Sequence, residues 1–240
     1  MFIRKIAGFI LITIVLSITD CFAQDTVQWT RGLRFGCDLS RFIVNELQPG
    51  RKAMEFSFDT EFKSNKFATL EIGTEKTTKE NDRISYKSNG YYGRIGIDFN
   101  ILKKDKLEKG RDVVFIGLRY GYYNVNQQVN SFAIPSLYAP DTLKGSYSSK
   151  NLFGHWAEVG FGLKVEVLNN LFLGASVRGR FLIYSKKDIN FPYYIPGFGN
   201  GANSSNFGVN YSIYYQIPLM KVKPKKVAKK NLKPEAKKSK

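Results

Sequence analysis

The sequence feature that most constrains the fold is a series of segments in which apolar and polar residues alternate. The clearest is FGVNYSIYYQIPL at 207–219, where every second residue from Phe207 to Leu219 is apolar or aromatic. Most of the residues between them are small or polar. Successive side chains of a β-strand point to opposite faces, so this pattern predicts strands with one apolar and one polar face.

The pattern recurs often enough to predict eight strands. Their cores lie at 33–40, 54–59, 70–73, 91–99, 114–121, 157–165, 171–181 and 206–219. An even number of antiparallel strands closes into a barrel with both chain ends on one side. The sequence therefore predicts an all-β fold, an eight-stranded antiparallel up-and-down barrel.

The first 23 residues resemble a secretory signal. Arg4 and Lys5 precede an apolar run at 6–18, and Cys21 and Ala23 place small residues before Gln24. This run is shorter than the about 20 residues that a transmembrane helix needs. We predict a signal peptide at 1–23 that is cleaved before Gln24; a retained anchor and acylation at Cys21 are the alternatives.

The basic charge of the chain is concentrated at its end. The formal net charge is +17, and residues 221–240 contain ten lysines and one acid, Glu235. Because the remainder is only moderately basic, the charge does not indicate nucleic-acid binding. We predict a barrel at 24–220 and a disordered lysine-rich tail at 221–240, which could bind an anionic envelope polymer.

The orientation of the two faces separates two classes of protein. If the apolar face points outward, the chain is a transmembrane barrel of the Gram-negative outer membrane, with both termini in the periplasm. If it points inward, the chain is a soluble periplasmic carrier of an apolar ligand, like a lipocalin. Aromatic residues near strand ends favour the membrane barrel, because girdles form at lipid interfaces: Trp29, Tyr91, Tyr120, Tyr122, Trp156, Tyr184 and Tyr215.

An outward apolar face places many charges inside the barrel. An eight-stranded lumen is just wide enough to be filled by side chains, so opposite charges are expected to pair there and leave no continuous pore. The predicted lumen network consists of Arg34, Asp38, Glu55, Asp59, Glu71, Arg94, Asp98, Arg119, Glu158, Lys164, Arg178 and Arg180.

Two long connectors are predicted at 124–153 and 185–205, and they are the candidate recognition surface. Their aromatic residues supply rigid contact area: Phe132, Tyr138, Tyr147, Tyr193, Tyr194 and Phe198. The expected function is structural or adhesive and not enzymatic. Expected partners are outer-membrane lipid or lipopolysaccharide and the barrel-assembly machinery.

Enzymatic and metal chemistry have little support in the sequence. A lipid-A-modifying enzyme would need a serine and an acid near His155, but Ser176 has inward parity and His155 outward parity. Cys37, between two outward apolar residues, is expected to be a small apolar filler. One histidine and one mature cysteine do not form a metal-ligand pattern, and no cofactor is predicted.

Several segments resemble an uncharacterised family of outer-membrane barrels. They are GLRYGY at 117–122, HWAE at 155–158, LKVEVLNNLFLG at 163–174 followed by Arg178, YIPG at 194–197 and NFGVNY at 206–211. The likeness extends to about Leu219, so the lysine tail lies outside it. The resemblance implies export and an outer-membrane barrel, but it brings no activity and no catalytic residues.

The cleavage site gives the first testable prediction. Intact-mass measurement of the exported protein should give a chain that begins at Gln24, since small residues lie at the positions that signal peptidase reads. A mass that retains Met1, or a lipid adduct on Cys21, would contradict the prediction.

Overall fold

A computed structural model describes residues 29–48, 50–81, 84–102, 111–134, 143–186 and 192–222. The predicted signal peptide and residues 223–240 of the predicted tail lie outside them. The elements are β1 (Trp29–Asp38), α1 (Ser40–Leu47), β2 (Arg51–Lys63), β3 (Lys66–Asn81), β4 (Ile84–Asn100), β5 (Val113–Ile134), β6 (Leu143–Leu168), β7 (Leu171–Ser185), β8 (Tyr194–Ile195), β9 (Gly199–Asn200) and β10 (Ser205–Val222).

Eight strands form a closed barrel in the order β1-β10-β7-β6-β5-β4-β3-β2. Each strand pairs antiparallel with the next barrel strand along the chain. Strand β10 pairs with β7 because β8 and β9, which lie between them in sequence, form a separate small hairpin. The predicted eight-stranded up-and-down barrel is confirmed. No helix within the described ranges is long and apolar enough to cross a membrane.

The connectors define two ends of the barrel. At the loop end, β1, β3, β5 and β7 end and β2, β4, β6 and β10 begin; at the turn end, β2, β4 and β6 end and β3, β5 and β7 begin. Asn65 and Asn170 adopt positive φ angles of 60° and 65° in the two tightest turns at the turn end. Asparagine tolerates this left-handed conformation better than most residues, which explains how such short turns reverse the chain.

The outer wall of the barrel is a continuous apolar band. On β5 the outward residues from Val114 to Tyr122 are all apolar or aromatic, and Leu118 in the middle is 52% exposed. At about 3.4 Å per residue and a tilt of about 40°, this stretch is about 20–25 Å tall, close to the hydrocarbon band of membrane barrels. The apolar face is therefore outside, as in a transmembrane barrel, and the lipocalin-like orientation is wrong.

An aromatic girdle lies across β5, β6 and β7 at the edge of this band that is nearer the loop end, which we call its upper edge. Tyr122 packs on Phe153 with ring centroids 6.5 Å apart, and Phe153 lies 6.1 Å from Tyr184. His155 packs between Tyr184 and Tyr120 at 5.7 and 5.5 Å. Amphipathic rings in this position are typical of a membrane–water interface.

Above the girdle the alternation changes phase. Outward residues of β5 become polar from Asn124 to Asn130, whereas inward residues such as Val125 and Val129 become apolar and buried. A strand that leaves lipid and enters water is expected to exchange its faces in this way. Strands β3, β4, β5 and β6 therefore continue past the girdle as a four-stranded sheet, the extension.

The extension corrects the predicted connectors. Residues 124–153 were expected to be a loop, but 124–134 and 143–153 are strand. The predicted all-β fold also lacked a helix, whereas α1 occupies Ser40–Leu47. Within 185–205, β8 and β9 form a small hairpin. These strand segments were not predicted because their outward residues are polar, whereas the predicted strands have apolar residues at every second position.

The middle and the turn end of the apolar band should respond differently to a charge. Leu118 in the middle and Leu168 beside the turn at 169–170 are both 52% exposed leucines. Replacement Leu118→Lys should lower the free energy of unfolding in phospholipid vesicles by about 2–4 kcal/mol, and Leu168→Lys by about 0–1 kcal/mol.

Denaturant titration in vesicles measures both values. Equal effects of the two lysines would contradict the placement of the band in lipid, because a wall in water has no depth dependence.

Candidate functional site

The structure places all twelve predicted lumen charges inside the barrel. Their exposed fractions range from 0% for Asp98 to 6% for Arg180. Each of these residues lies on the polar face of its strand, which points inward because the apolar face points outward. Buried charges are unfavourable unless they are paired, so their partners decide whether this lumen can exist.

Near the turn end, two aspartates link three bases. Asp59 accepts from Arg34 Nε at 2.5 Å and from Lys164 Nζ at 2.7 Å. Lys164 Nζ also lies 3.4 Å from Asp98, which contacts Arg119 at 2.9 Å. These contacts join β1, β2, β4, β5 and β6 across the lumen.

At the centre, Glu71 and Arg94 each meet several partners. Glu71 binds Arg94, Arg119 and Arg178 at 2.7, 3.1 and 2.7 Å. Arg94, fully buried, also contacts Glu55 and reaches Glu158 Oε1 at 3.2 Å. The ion pairs therefore continue without a break from the turn end to the middle of the barrel.

Three further charges belong to this network beyond the twelve predicted members. Arg41 on α1 reaches down to Glu55 at 2.7 Å, and Arg51 at the start of β2 pairs with Glu75. All three residues lie outside the predicted strand cores at 33–40, 54–59 and 70–73. A recognisable signal for Arg41 was its position in SRFIVNEL, an amphipathic segment directly after β1.

The enlarged network is close to neutral. It contains seven acids (Asp38, Glu55, Asp59, Glu71, Glu75, Asp98 and Glu158) and eight bases (Arg34, Arg41, Arg51, Arg94, Arg119, Lys164, Arg178 and Arg180). Near-equal numbers allow each charge a counter-ion and avoid a large unpaired charge in low dielectric. The side chains of this network are buried inside the barrel, as expected for an eight-stranded lumen that side chains fill.

An aromatic plug closes the lumen at the loop end. Tyr92, Tyr123 and Trp156 pack there with Ile195 and Phe198. Trp156 lies 6.0 Å edge-on from Phe198 and donates its Nε1–H to Glu158 at 2.7 Å. Its predicted place in the outer girdle is wrong, because Trp156 has inward parity and is fully buried.

The plug is fixed by the charges below it and beside it. Arg180 Nη1 donates to the Phe198 carbonyl at 3.1 Å, and Glu75 accepts from the Gly197 N–H at 3.3 Å. Gly197 has φ +73°, and a Cβ there would lie 2.5 Å from the Tyr92 ring. The YIPG segment at 194–197 thus needs glycine both for its backbone and for its packing.

Beside the plug lies an open groove of about 420 Å³. Lys79 Nζ donates to the Tyr193 hydroxyl at 2.8 Å and lies 4.9 Å from its ring centroid, while the Arg51 guanidinium stacks on Tyr194 at 4.4 Å. Burial, followed by the nearby Glu75 carboxylate, raises the pKa of Tyr194 to about 12, so its hydroxyl remains protonated at neutral pH. The groove is lined by Gln48, Gly50, Arg51, Thr77, Thr78, Lys79, Tyr193, Tyr194 and Asn200.

The six predicted recognition aromatics have different places. Tyr193 is 47% exposed and, with Tyr194, lines the groove. Phe198 is fully buried in the plug, so its predicted role as a surface contact is wrong. Tyr147 lies half-buried on β6. Tyr138 and the side chain of Phe132 lie outside the described part of the chain.

Within the ranges that the structure describes, the serine and histidine considered for catalysis are not brought together. His155 is on the outer wall between tyrosines, whereas Ser176 is buried in the lumen and accepts from Arg178 Nε at 3.3 Å. Cys37 is half-buried on the outward face of β1. No group of three or more potential metal ligands occurs among the described residues.

Solved structures with a related architecture share little sequence with this chain. Ail, the attachment invasion locus protein of Yersinia pestis, has a TM-score of 0.40 and 11% identity, covering 80% of this chain and 100% of Ail. Neisserial surface protein A has a TM-score of 0.36 and 9% identity over 78% of this chain and 96% of its own. The N-terminal β-barrel domain of Pseudomonas aeruginosa OprF has a TM-score of 0.34 and 9% identity, covering 78% of this chain and 98% of that domain. Because these TM-scores lie below 0.5, they give no grounds for transferring a role.

Comparison at the level of sequence gives a clearer result. No significant match occurs among curated proteins. A family model described as a domain of unknown function, DUF6048, matches residues 1–222, which include the whole barrel. The chain therefore belongs to the DUF6048 family.

Proposed function

We propose that this chain is a non-enzymatic outer-membrane protein whose barrel is an anchor and whose loop end binds a partner outside the cell. Support for the membrane comes from the apolar band and its girdle. Both termini lie in the periplasm in this proposal, so the loop end faces outward. The filled lumen argues against a pore, and the separation of His155 from Ser176 argues against serine hydrolysis.

The extension and its groove carry the binding part of the proposal. An anchor needs only enough strand to cross the bilayer, yet β3, β4, β5 and β6 continue beyond it. The 192–201 segment packs over the mouth and supplies Tyr193, Tyr194 and Asn200 to the groove. Recognition commonly takes place on segments that a rigid scaffold holds in position.

The lining of the groove suits an acidic saccharide. Lys79 forms no ion pair with a carboxylate within the described ranges, so its ammonium group is available to an acidic substituent. Tyr193 offers an exposed aromatic surface, and Gln48, Thr78 and Asn200 offer hydrogen-bonding groups for hydroxyls.

Retention on heparin tests this proposal, with neutral dextran as the comparison polymer. The purified barrel in vesicles should bind heparin, and the double variant Lys79→Gln/Tyr193→Ser should bind at least about tenfold more weakly because it removes a charge and an aromatic contact.

The matched control is Lys150→Gln, which removes an exposed charge from β6 of the extension away from the groove. Its heparin affinity should remain within about twofold of the wild type. Equal retention of the wild type and the double variant would show that the groove is not the binding site.

A further inference from the structure

Three lysines form a basic cluster on the outer face just above the apolar band. Lys52, Lys76 and Lys87 lie on β2, β3 and β4, and all three are exposed. Lys52 is directly opposite Lys76 in the β2–β3 register. Lys76 pairs with Asn89, two residues from Lys87, so Lys76 and Lys87 are diagonal neighbours. We call these residues the lysine triad.

This arrangement is unfavourable for the isolated protein. Like charges directly opposite each other on one face of a sheet are destabilising. Glu75, next to Lys76 in sequence, faces the lumen and pairs with Arg51. Glu80 is exposed on β3 and is opposite Ser85, two residues from Lys87. Across the part of the chain that the structure describes, none of the three lysines forms an ion pair with a carboxylate. A bound anion would remove this repulsion.

The height of the triad on the barrel identifies the kind of anion. Tyr91, 58% exposed, pairs with Thr74 and Asn124, at the level where the outward face of β5 turns polar. Lys76 is the next outward residue above Thr74, and Lys52 is the next above Met54. The triad therefore lies at the depth of lipid headgroups, with its stems over the edge of the apolar band.

We propose that the lysine triad binds the phosphate of a lipid headgroup in the leaflet at the loop end. This inference rests on the proposed membrane location and is independent of the groove. Phosphate can accept hydrogen bonds from several ammonium groups at once, and cross-strand neighbours are close enough to share one anion. The acyl chains of the same lipid would lie against Met54, Ile72 and Ile95, which are exposed on the band below.

The chain contains a matched control for this site. Lys63 and Lys66 are also directly opposite on β2 and β3, but at the turn end. Glu61 lies on the same strand nearby, and Lys66 Nζ is 5.5 Å from the Phe99 ring centroid. Replacing either pair removes the same charge from the same two strands, at opposite ends of the apolar band.

Binding of doubly phosphorylated lipid A to the detergent-solubilised barrel tests the proposal by native mass spectrometry. Each lysine near a charged headgroup contributes about fivefold to affinity, so Lys52→Gln/Lys76→Gln should weaken binding by about 25-fold. Adding Lys87→Gln should weaken it about fivefold further. The control Lys63→Gln/Lys66→Gln should change it by less than about threefold.

Two further measurements identify the ligand. Dephosphorylated lipid A should bind the wild type and the Lys52→Gln/Lys76→Gln variant equally, and millimolar inorganic phosphate alone should not displace lipid A. Equal loss in both lysine pairs, or no loss in either, would overturn the triad as a site; displacement by inorganic phosphate would show a free-anion site instead. Carbonate washing of cell membranes tests the location separately: release of the wild type would refute the proposed function itself.

Discussion

Arg94 lies at the centre of the barrel against three carboxylates, and the rest of the structure depends on such pairing. A chain that turns its apolar face to lipid must place its polar residues inside. In a barrel of eight strands that interior is too narrow for a water-filled channel, so the charges have to neutralise one another. Ion pairs of Asp59, Glu71 and Glu55 achieve this along the lumen. The charges thus lie inside, and the outward face of β5 from Val114 to Tyr122 carries none.

The same network extends from the anchor to the exposed end. Arg41, Arg180 and Glu75 lie at the upper limit of the lumen and hold α1 and the plug through direct contacts. The plug in turn supports Tyr193 and Tyr194, which line the groove. A rigid interior therefore positions the surface that is proposed to bind, in the way that a packed scaffold fixes a recognition site.

Much of the barrel could be predicted because the alternation has a direct physical cause. Within lipid, each outward position must be apolar, so FGVNYSIYYQIPL at 207–219 could be assigned to faces from sequence alone. All twelve predicted lumen charges followed from the same parity. Above the girdle the rule reverses: the outward position at Asn124 is polar, and the inward position at Val125 is apolar. For this reason a long sheet was taken for a loop.

The candidate site was harder to predict because it depends on contacts between distant segments. Phe198 belongs to an aromatic loop, which is typical of both a binding surface and a plug; only its packing on Trp156 distinguishes them. The opposition of Lys52 and Lys76 depends on the register of two strands, which composition does not reveal. Local patterns predict elements and faces, whereas sites depend on register and packing.

The unfolding free energy of an Arg94→Met variant in phospholipid vesicles tests the central claim most directly. Removing this guanidinium takes one buried counter-ion from each of Glu55, Glu71 and Glu158. Because it breaks a buried network of ion pairs, the loss should be about 3–5 kcal/mol. Lys150→Met, at an exposed position on β6 outside the lumen, should change the value by less than about 0.5 kcal/mol. An Arg94→Met barrel as stable as the wild type would contradict the account, because the paired lumen charges would then not hold the barrel together.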